Sequence, residues 1–473
     1  MKSLPPILML VEDQNSHLFW SSSELRIWRE RAGKGPYKTK GDVSPNSPGD
    51  WDHILKARNS FHKDALSDYF DPDKDLEYSS PKPENRDGCY NGKFPTNRHA
   101  SRLRDTAFYG LIENDTASKR LALSALLRIA RDRKMDFSND IIWCKGKSGD
   151  GGVFLLSEWI SRLVVAYDFL SNSIPADKRT ILLRWFSSYA NFARVDLNEG
   201  LEKLFEDRTA PTPVLSDYYL AGHEMRAPGY AGGPKIPRLS YFYNNRRANL
   251  ARSIGIIGIL NRDRRLVKDA QNFCREFLAY SVFKEGFIGE FERARADNPN
   301  TTKDETLPDL GWNYGIVAIG PCLTFAETLS RQGDDSLYQF STSHGEFGTE
   351  GSPPDRDGKD LEFVAETMSN YVSDKYERYM YGHNNDPNFR IDARHPRNGS
   401  IWSSTADTAF AHANRFFKNH SITLGYRRKL LGTVPYPIKA VGSGGYYPFG
   451  GESSIFPGVL FMYDLPHDIK RRN

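Results

Sequence analysis

The sequence predicts an all-α fold, an α/α toroid: an incomplete barrel of antiparallel helix pairs with long loops and a short, irregular, β-containing C-terminal tail. Three features point there. Helical patterns of ~15–20 residues recur in pairs. Strand signal between them is weak. No strict repeat of ~20–50 residues is present and loop lengths vary, which argues against a regularly stacked solenoid. For one domain of this length, helix pairs wrapped into a ring are the simplest way to bury every apolar face. The loops then gather at one end and build a cleft there.

The elements follow in order. Residues 1–46 read as an irregular N-terminal extension with one short helical patch in 23–42. Residues 47–66 read as a helix, with Pro48 near the first turn and apolar residues at helical spacing. Residues 71–96 are rich in Pro, Asn and Asp, hence a long loop. Helical patterns follow at 97–112 and 118–133, then at 153–170 and 176–195. A long loop, 197–239, has the Gly- and Pro-rich DYYLAGHEMRAPGYAGGPKIPR at its centre. Further helices are expected at 249–260, 263–283, 312–331, 361–373 and 405–418, with an insert at 285–308. The domain expectation is a toroid over 47–425 and a loop-rich tail over 426–473, packed on the toroid.

Bulk composition narrows the function classes. The 473 residues are 39% apolar and 26% charged, which is globular rather than disordered. Aromatics make up 13%, serving either packing or a carbohydrate cleft, since sugar rings stack on flat faces. The 64 basic and 60 acidic residues leave +4, too balanced for a nucleic-acid stripe, and no Lys/Arg run suggests one. A mild positive excess suits an anionic substrate. None of Cys89, Cys144, Cys274 and Cys322 forms a CxxC pair, so no metal site is expected. No run reaches the ~18 apolar residues of a membrane span. The start, MKSLPPILMLVEDQNS, has a short apolar run broken by two prolines and falls short of a full signal peptide. Motifs of other chemistries are missing: there is no GxSxG elbow, no P-loop and no HExxH pair.

The chemistry-bearing stretch is 240–332. It opens with SYFYNNRRANLARSIGIIGIL, continues through GFIGEFERARAD and closes with GWNYGIVAIGPCLTFAETLSRQ. Amides, guanidiniums and a phenol gather at what read as helix starts, where backbone N–H groups favour an anion. Asn244 and Asn245 could bind an acid and stabilise an enolate-like intermediate; against that, Asn is a common N-cap. Tyr314 could act as base and acid beside a cation that lowers its pKa, or be an ordinary helix aromatic. Arg293 and Arg295 could supply the cation. His223, in a Gly/Pro loop, could be a base or a ligand, and His99 is another histidine at a loop-to-helix junction.

These residues carry a resemblance. The layout resembles the alginate lyase superfamily of polysaccharide lyases, single-domain α/α toroids acting on alginate or glucuronan, and is most like polysaccharide lyase families five and thirty-eight. Those enzymes have an Asn-Asn-His motif at a helix start, an Arg about 48 residues on, and an Asn-Tyr pair opening the next apolar helix. Here Asn244-Asn245 match the amides, Arg293 lies 48 residues beyond Asn245, and Asn313-Tyr314 precede GIVAIGPCLTFAE. WRERAGKGPY and AYDFL are also similar to this group. Two departures stand out: Arg246 replaces the motif histidine, and the insert between Arg293 and Tyr314 is longer than usual.

The resemblance implies a secreted or periplasmic enzyme, monomeric, without cofactor, that cleaves a uronate polysaccharide by metal-independent β-elimination. Asn245, with Arg293 or His223, would neutralise the C5 carboxylate, and Tyr314 would be base and then acid. Asn244, Arg246, Arg247, Tyr243, Arg295, Trp312 and His99 would bind the flanking polymer. A glycoside hydrolase on the same toroid, drawing on Asp217, Glu224 or Glu290, and a non-catalytic polysaccharide-binding protein are the rival expectations.

Overall fold

A computed structural model of the chain describes residues 17–34, 50–64, 76–78, 93–95, 97–139, 152–198, 201, 205–207, 214–215, 243–282, 286, 288, 307–343, 358–367, 416–417 and 455–457. The fold is all-α. Its helices are α1 (Ser22–Arg31), α2 (Asp50–Asp64), α3 (Asn97–Ile112), α4 (Thr116–Arg131), α5 (Gly152–Leu170), α6 (Ala176–Asn198), α7 (Asn245–Asn261), α8 (Arg264–Tyr280) and α9 (Leu307–Arg331), with a short α10 at 361–367. Two small antiparallel ladders accompany them, β1 (Leu76–Tyr78) with β2 (Lys93–Pro95), and β3 (Phe205–Asp207) with β4 (Val214–Leu215).

Local chemistry marks the helix ends. At α1, the Ser21 hydroxyl accepts from Glu24 N while the Glu24 carboxylate accepts from Ser21 N, a reciprocal cap. Asp115 caps α4 and Asp263 caps α8 through their carboxylates. Between α7 and α8, Arg262 takes a left-handed conformation and its N–H closes on the carbonyls of Gly258 and Ile259.

The helices form two layers. The first helix of each pair touches the first helix of the next, giving an inner row α3–α5–α7–α9. Their partners α4 and α6 touch each other outside that row, and α8 packs on α7. This alternation is the arc of an α/α ring. Central α7 is buried on every side: Ile254, Ile256 and Ile257 point in different directions and none is exposed.

Three contacts set the register between α7, α8 and α9. A Cβ added at Gly255 would lie 2.4 Å from the Phe325 ring and 2.7 Å from the Ala270 methyl, so the glycine lets all three helices meet. Gln271, in the middle of α8, donates to Asp334 and Ser336 just beyond the end of α9. The Cys274 thiol is in hydrogen-bond contact with Cys322, four residues past Ala270 and three before Phe325. α8 therefore runs antiparallel to α9. It also runs antiparallel to α7, through the tight turn at Arg262, so α7 and α9 are parallel neighbours.

Several expectations are corrected. The short helical patch expected within 23–42 is present as α1, and the described residues around it pack into the core. Leu18, Phe19, Trp20, Leu25 and Trp28 are buried in the common core. The backbone N–H groups of Leu18 and Phe19 donate to the Asp168 carboxylate of α5 at 3.0 and 3.1 Å. The 71–96 loop carries the β1–β2 ladder. α9 begins at Leu307, inside the expected insert, with Pro308 in its first turn, where no helical hydrogen bond is lost. Trp312, Asn313 and Tyr314 thus sit in its second turn rather than at a helix start. Of the tail, Phe456 packs edge-on against Phe19 and the Ile455 carbonyl accepts from Arg104; the strand pieces expected at 426–465 lie outside the described residues.

Candidate functional site

The site is built at the start of α7. Asn244 is its N-cap, and the side-chain oxygen accepts from Arg246 N at 3.0 Å and Arg247 N at 3.1 Å. The capping alternative therefore claims the oxygen that the substrate-binding expectation needed. Asn245 follows as the first helical residue, 6% exposed. Its backbone carbonyl accepts from the Asn249 amide at 3.0 Å. The positive end of the helix, two amides and two guanidiniums thus occupy one turn, a combination suited to a carboxylate.

The turn is held rigidly from behind. The Tyr243 hydroxyl donates to Glu276 at 2.8 Å and the Ser281 hydroxyl donates to the Tyr243 carbonyl at 2.8 Å. The Tyr243 ring packs on Phe273 and Tyr280, and burial pushes the Tyr280 phenol up to about 12, with Glu276 adding to it. Tyr243 is 0% exposed, so the expectation that it lines a sugar subsite is corrected: the ring seats the helix start. Arg247 donates to the Leu197 carbonyl near the end of α6 at 3.3 Å, and Arg246 is half-buried.

Beneath the turn runs a polar column that the sequence reading missed. Asn245, Asn249, Arg252 and Ser253 recur along one side of α7. Glu158 and Arg162 face each other on α5 at 3.9 Å, and Tyr189 of α6 shares a hydrogen bond with Ser253 at 3.1 Å. All six of these side chains from Asn249 onward are buried. Burial lowers Arg252 to about 10 against the pull of Glu158, and pushes the Tyr189 phenol well above its ordinary value. The signal was present: polar residues four and three apart inside otherwise apolar helices mark an interior polar cluster.

The other expected residues distribute as follows. Trp312 and Tyr314 have their backbone on α9, and their side chains lie outside the described residues, as do His223, Arg293, Arg295 and the hydrolase carboxylates Asp217, Glu224 and Glu290. His99 lies in the first turn of α3, edge-on to Phe61 at 5.9 Å. Burial first, then Arg102, lowers it to about 4, so the imidazole is neutral at pH 7.

The backbone still fixes one relationship. Asn245 precedes Gly255 by ten residues and Tyr314 precedes Phe325 by eleven, and Gly255 and Phe325 are where α7 and α9 cross. At ~1.5 Å per residue, both backbones lie about 15 Å along the chain from that crossing, toward the N-termini of parallel neighbours, with Pro321 interrupting α9 between Tyr314 and Phe325. The backbones of Asn245 and Tyr314 thus both lie toward the N-terminal ends of α7 and α9.

No protein-family model matches this sequence, and no curated protein matches it. Among solved structures, one match is a histidine-to-alanine variant of alginate lyase A1-III complexed with a tetrasaccharide, with a TM-score of 0.41 and 13% identity over 79% of this chain and 89% of that one. The apo form of the same variant matches with a TM-score of 0.40 and 14% identity over 83% of this chain and 92% of that one. At these scores the likeness is too distant to carry an activity across.

Proposed function

We propose that this chain is a polysaccharide lyase that cleaves a uronate-containing polymer, glucuronan or polymannuronate, by β-elimination. The observation that carries the reading is the placement of the Asn245 and Tyr314 backbones toward the N-terminal ends of parallel α7 and α9, beside the arginine-bearing helix start.

The C5 proton of a uronate is weakly acidic while the neighbouring carboxylate keeps its charge. Asn245, at the positive end of α7 and assisted by Arg293 or His223, neutralises that carboxylate and stabilises the dianion that develops. Tyr314 takes the C5 proton. The C4–O4 bond then breaks as the C4=C5 double bond forms, and the proton passes from Tyr314 to the leaving O4 oxygen. Arg246 and Arg247 hold the polymer on either side.

The test is ultraviolet absorbance during separate incubations with polyglucuronate, polymannuronate, polyguluronate and hyaluronan. A rise on one polymer, from a double bond conjugated to the carboxylate, supports the lyase and names its substrate. New reducing ends with no rise in absorbance would overturn the reading in favour of a hydrolase.

A further inference from the structure

On the outside of the ring, α4 and the first turn of α6 enclose an open groove of about 770 Å³. Arg120, Arg128 and Arg131 line it from one stripe of α4, the outer two eleven positions or ~16 Å apart. Lys178 lines it from the third position of α6, where the helix dipole disfavours a cation. Leu123 and Leu127 form part of its wall. One carboxylate, Asp132, borders the groove, and that group already caps the following turn by accepting from Lys134 N at 2.9 Å. Four cations and the positive end of α6 thus meet one carboxylate and the negative end of α4.

We propose that this groove is a second binding site for a linear polyuronate chain, distinct from the candidate active site. It rests on the proposed function for the identity of the polymer. A stripe of guanidiniums matches a ladder of carboxylates repeated along one side of a sugar chain. None of the lining residues is aromatic, so the groove lacks the platforms that stack the bases of single-stranded nucleic acid. Lys178 is nineteen residues along α6 from Leu197, whose carbonyl holds Arg247, a separation of ~28 Å. A polymer held at that distance raises the local concentration of sugar chain for the active end without touching it.

The experiment uses the full chain and two charge-reversal pairs, Arg128→Glu with Arg131→Glu, and Arg120→Glu with Lys178→Glu. The side chains of Arg120, Arg128 and Arg131 are exposed, and an unchanged unfolding midpoint checks that each pair folds. Retardation in gels containing polyglucuronate or polymannuronate is measured beside KM on polymer and on a short oligouronate. The expected result is weaker retardation and a KM about tenfold higher on polymer, with KM on the short oligomer unchanged. Retardation and polymer KM equal to the parent in both pairs would overturn the proposal, as would single-stranded RNA displacing the polymer at lower concentration than oligouronate does. If no double bond forms on any polymer yet both pairs lose retardation, the groove stands and the lyase reading falls.

Discussion

The backbones of Asn245 and Tyr314 lie ten and eleven residues before the point where Gly255 of α7 closes on Phe325 of parallel α9. They are 69 positions apart in sequence. Their pairing depends on an interhelical contact that neither residue makes.

Tyr314→Phe removes one oxygen and should lower kcat by at least ~100-fold, the usual worth of a positioned acid–base group, while leaving the unfolding midpoint unchanged. Asn245→Ala should cost ~100-fold or more in kcat by removing a donor to the developing dianion. Near-parental turnover by either variant on the polymer that responds would remove that residue from the mechanism.

Gly255→Ala sets two effects against each other. Alanine is favoured over glycine in a helix by ~0.5–1 kcal/mol. The added methyl would sit 2.4 Å from Phe325 and 2.7 Å from Ala270, and such overpacking costs ~1–3 kcal/mol. Overpacking should win, lowering stability in urea by ~1–2 kcal/mol and kcat with it, since the crossing sets the height of Tyr314. A midpoint at or above the parent's would show that Phe325 swings aside freely.

Glu24→Gln should destabilise the chain more than a surface change would. Arg331 donates to both Glu24 oxygens at 2.7 Å and to Glu327 at 2.8 Å, and Glu24 is 1% exposed. The neutral amide leaves the guanidinium with half its compensation, at a cost of about 3 kcal/mol. Denaturation of α1 and α9 should remain one transition at a lower midpoint. An unshifted midpoint would mean that the pair contributes nothing.

Lys359 gives a pH signature. Its ammonium is buried and donates to the Ala279 and Val282 carbonyls, and desolvation lowers it to about 8 from 10.5. Between those values the unfolded chain holds a proton that the folded chain has released. Stability contributed by this group therefore rises with pH from about 8 to about 10.5, by about 3 kcal/mol in total. Comparing urea midpoints of the parent and Lys359→Met across that window isolates the slope. Parallel curves for the two proteins would show that Lys359 keeps an ordinary pKa.

Helix existence was legible wherever periodicity was strong. Residues 97–112 were expected as a helix and form α3 with those bounds. α9 was misplaced at its start because Pro308 reads as a breaker, yet a proline in a first turn has no hydrogen bond to lose. The β1–β2 ladder was hidden because three-residue strands carry too little pattern to be read. At the site, Asn244 and Asn245 were both singled out, but pattern alone could not tell which amide the helix would claim as its cap.

The all-α class, the succession of helix pairs and the residues of the motif follow from local sequence. They rest on period, breakers and caps, which act over a few neighbouring positions. Packing in three dimensions makes Tyr243 a buried support, gathers Glu158, Arg162, Tyr189 and Arg252 into a polar interior, and sets the backbones of Asn245 and Tyr314 on parallel neighbouring helices. Those outcomes depend on how far one helix slides along another before side chains lock. That distance is set by contacts such as Gly255 with Phe325, which no local pattern encodes.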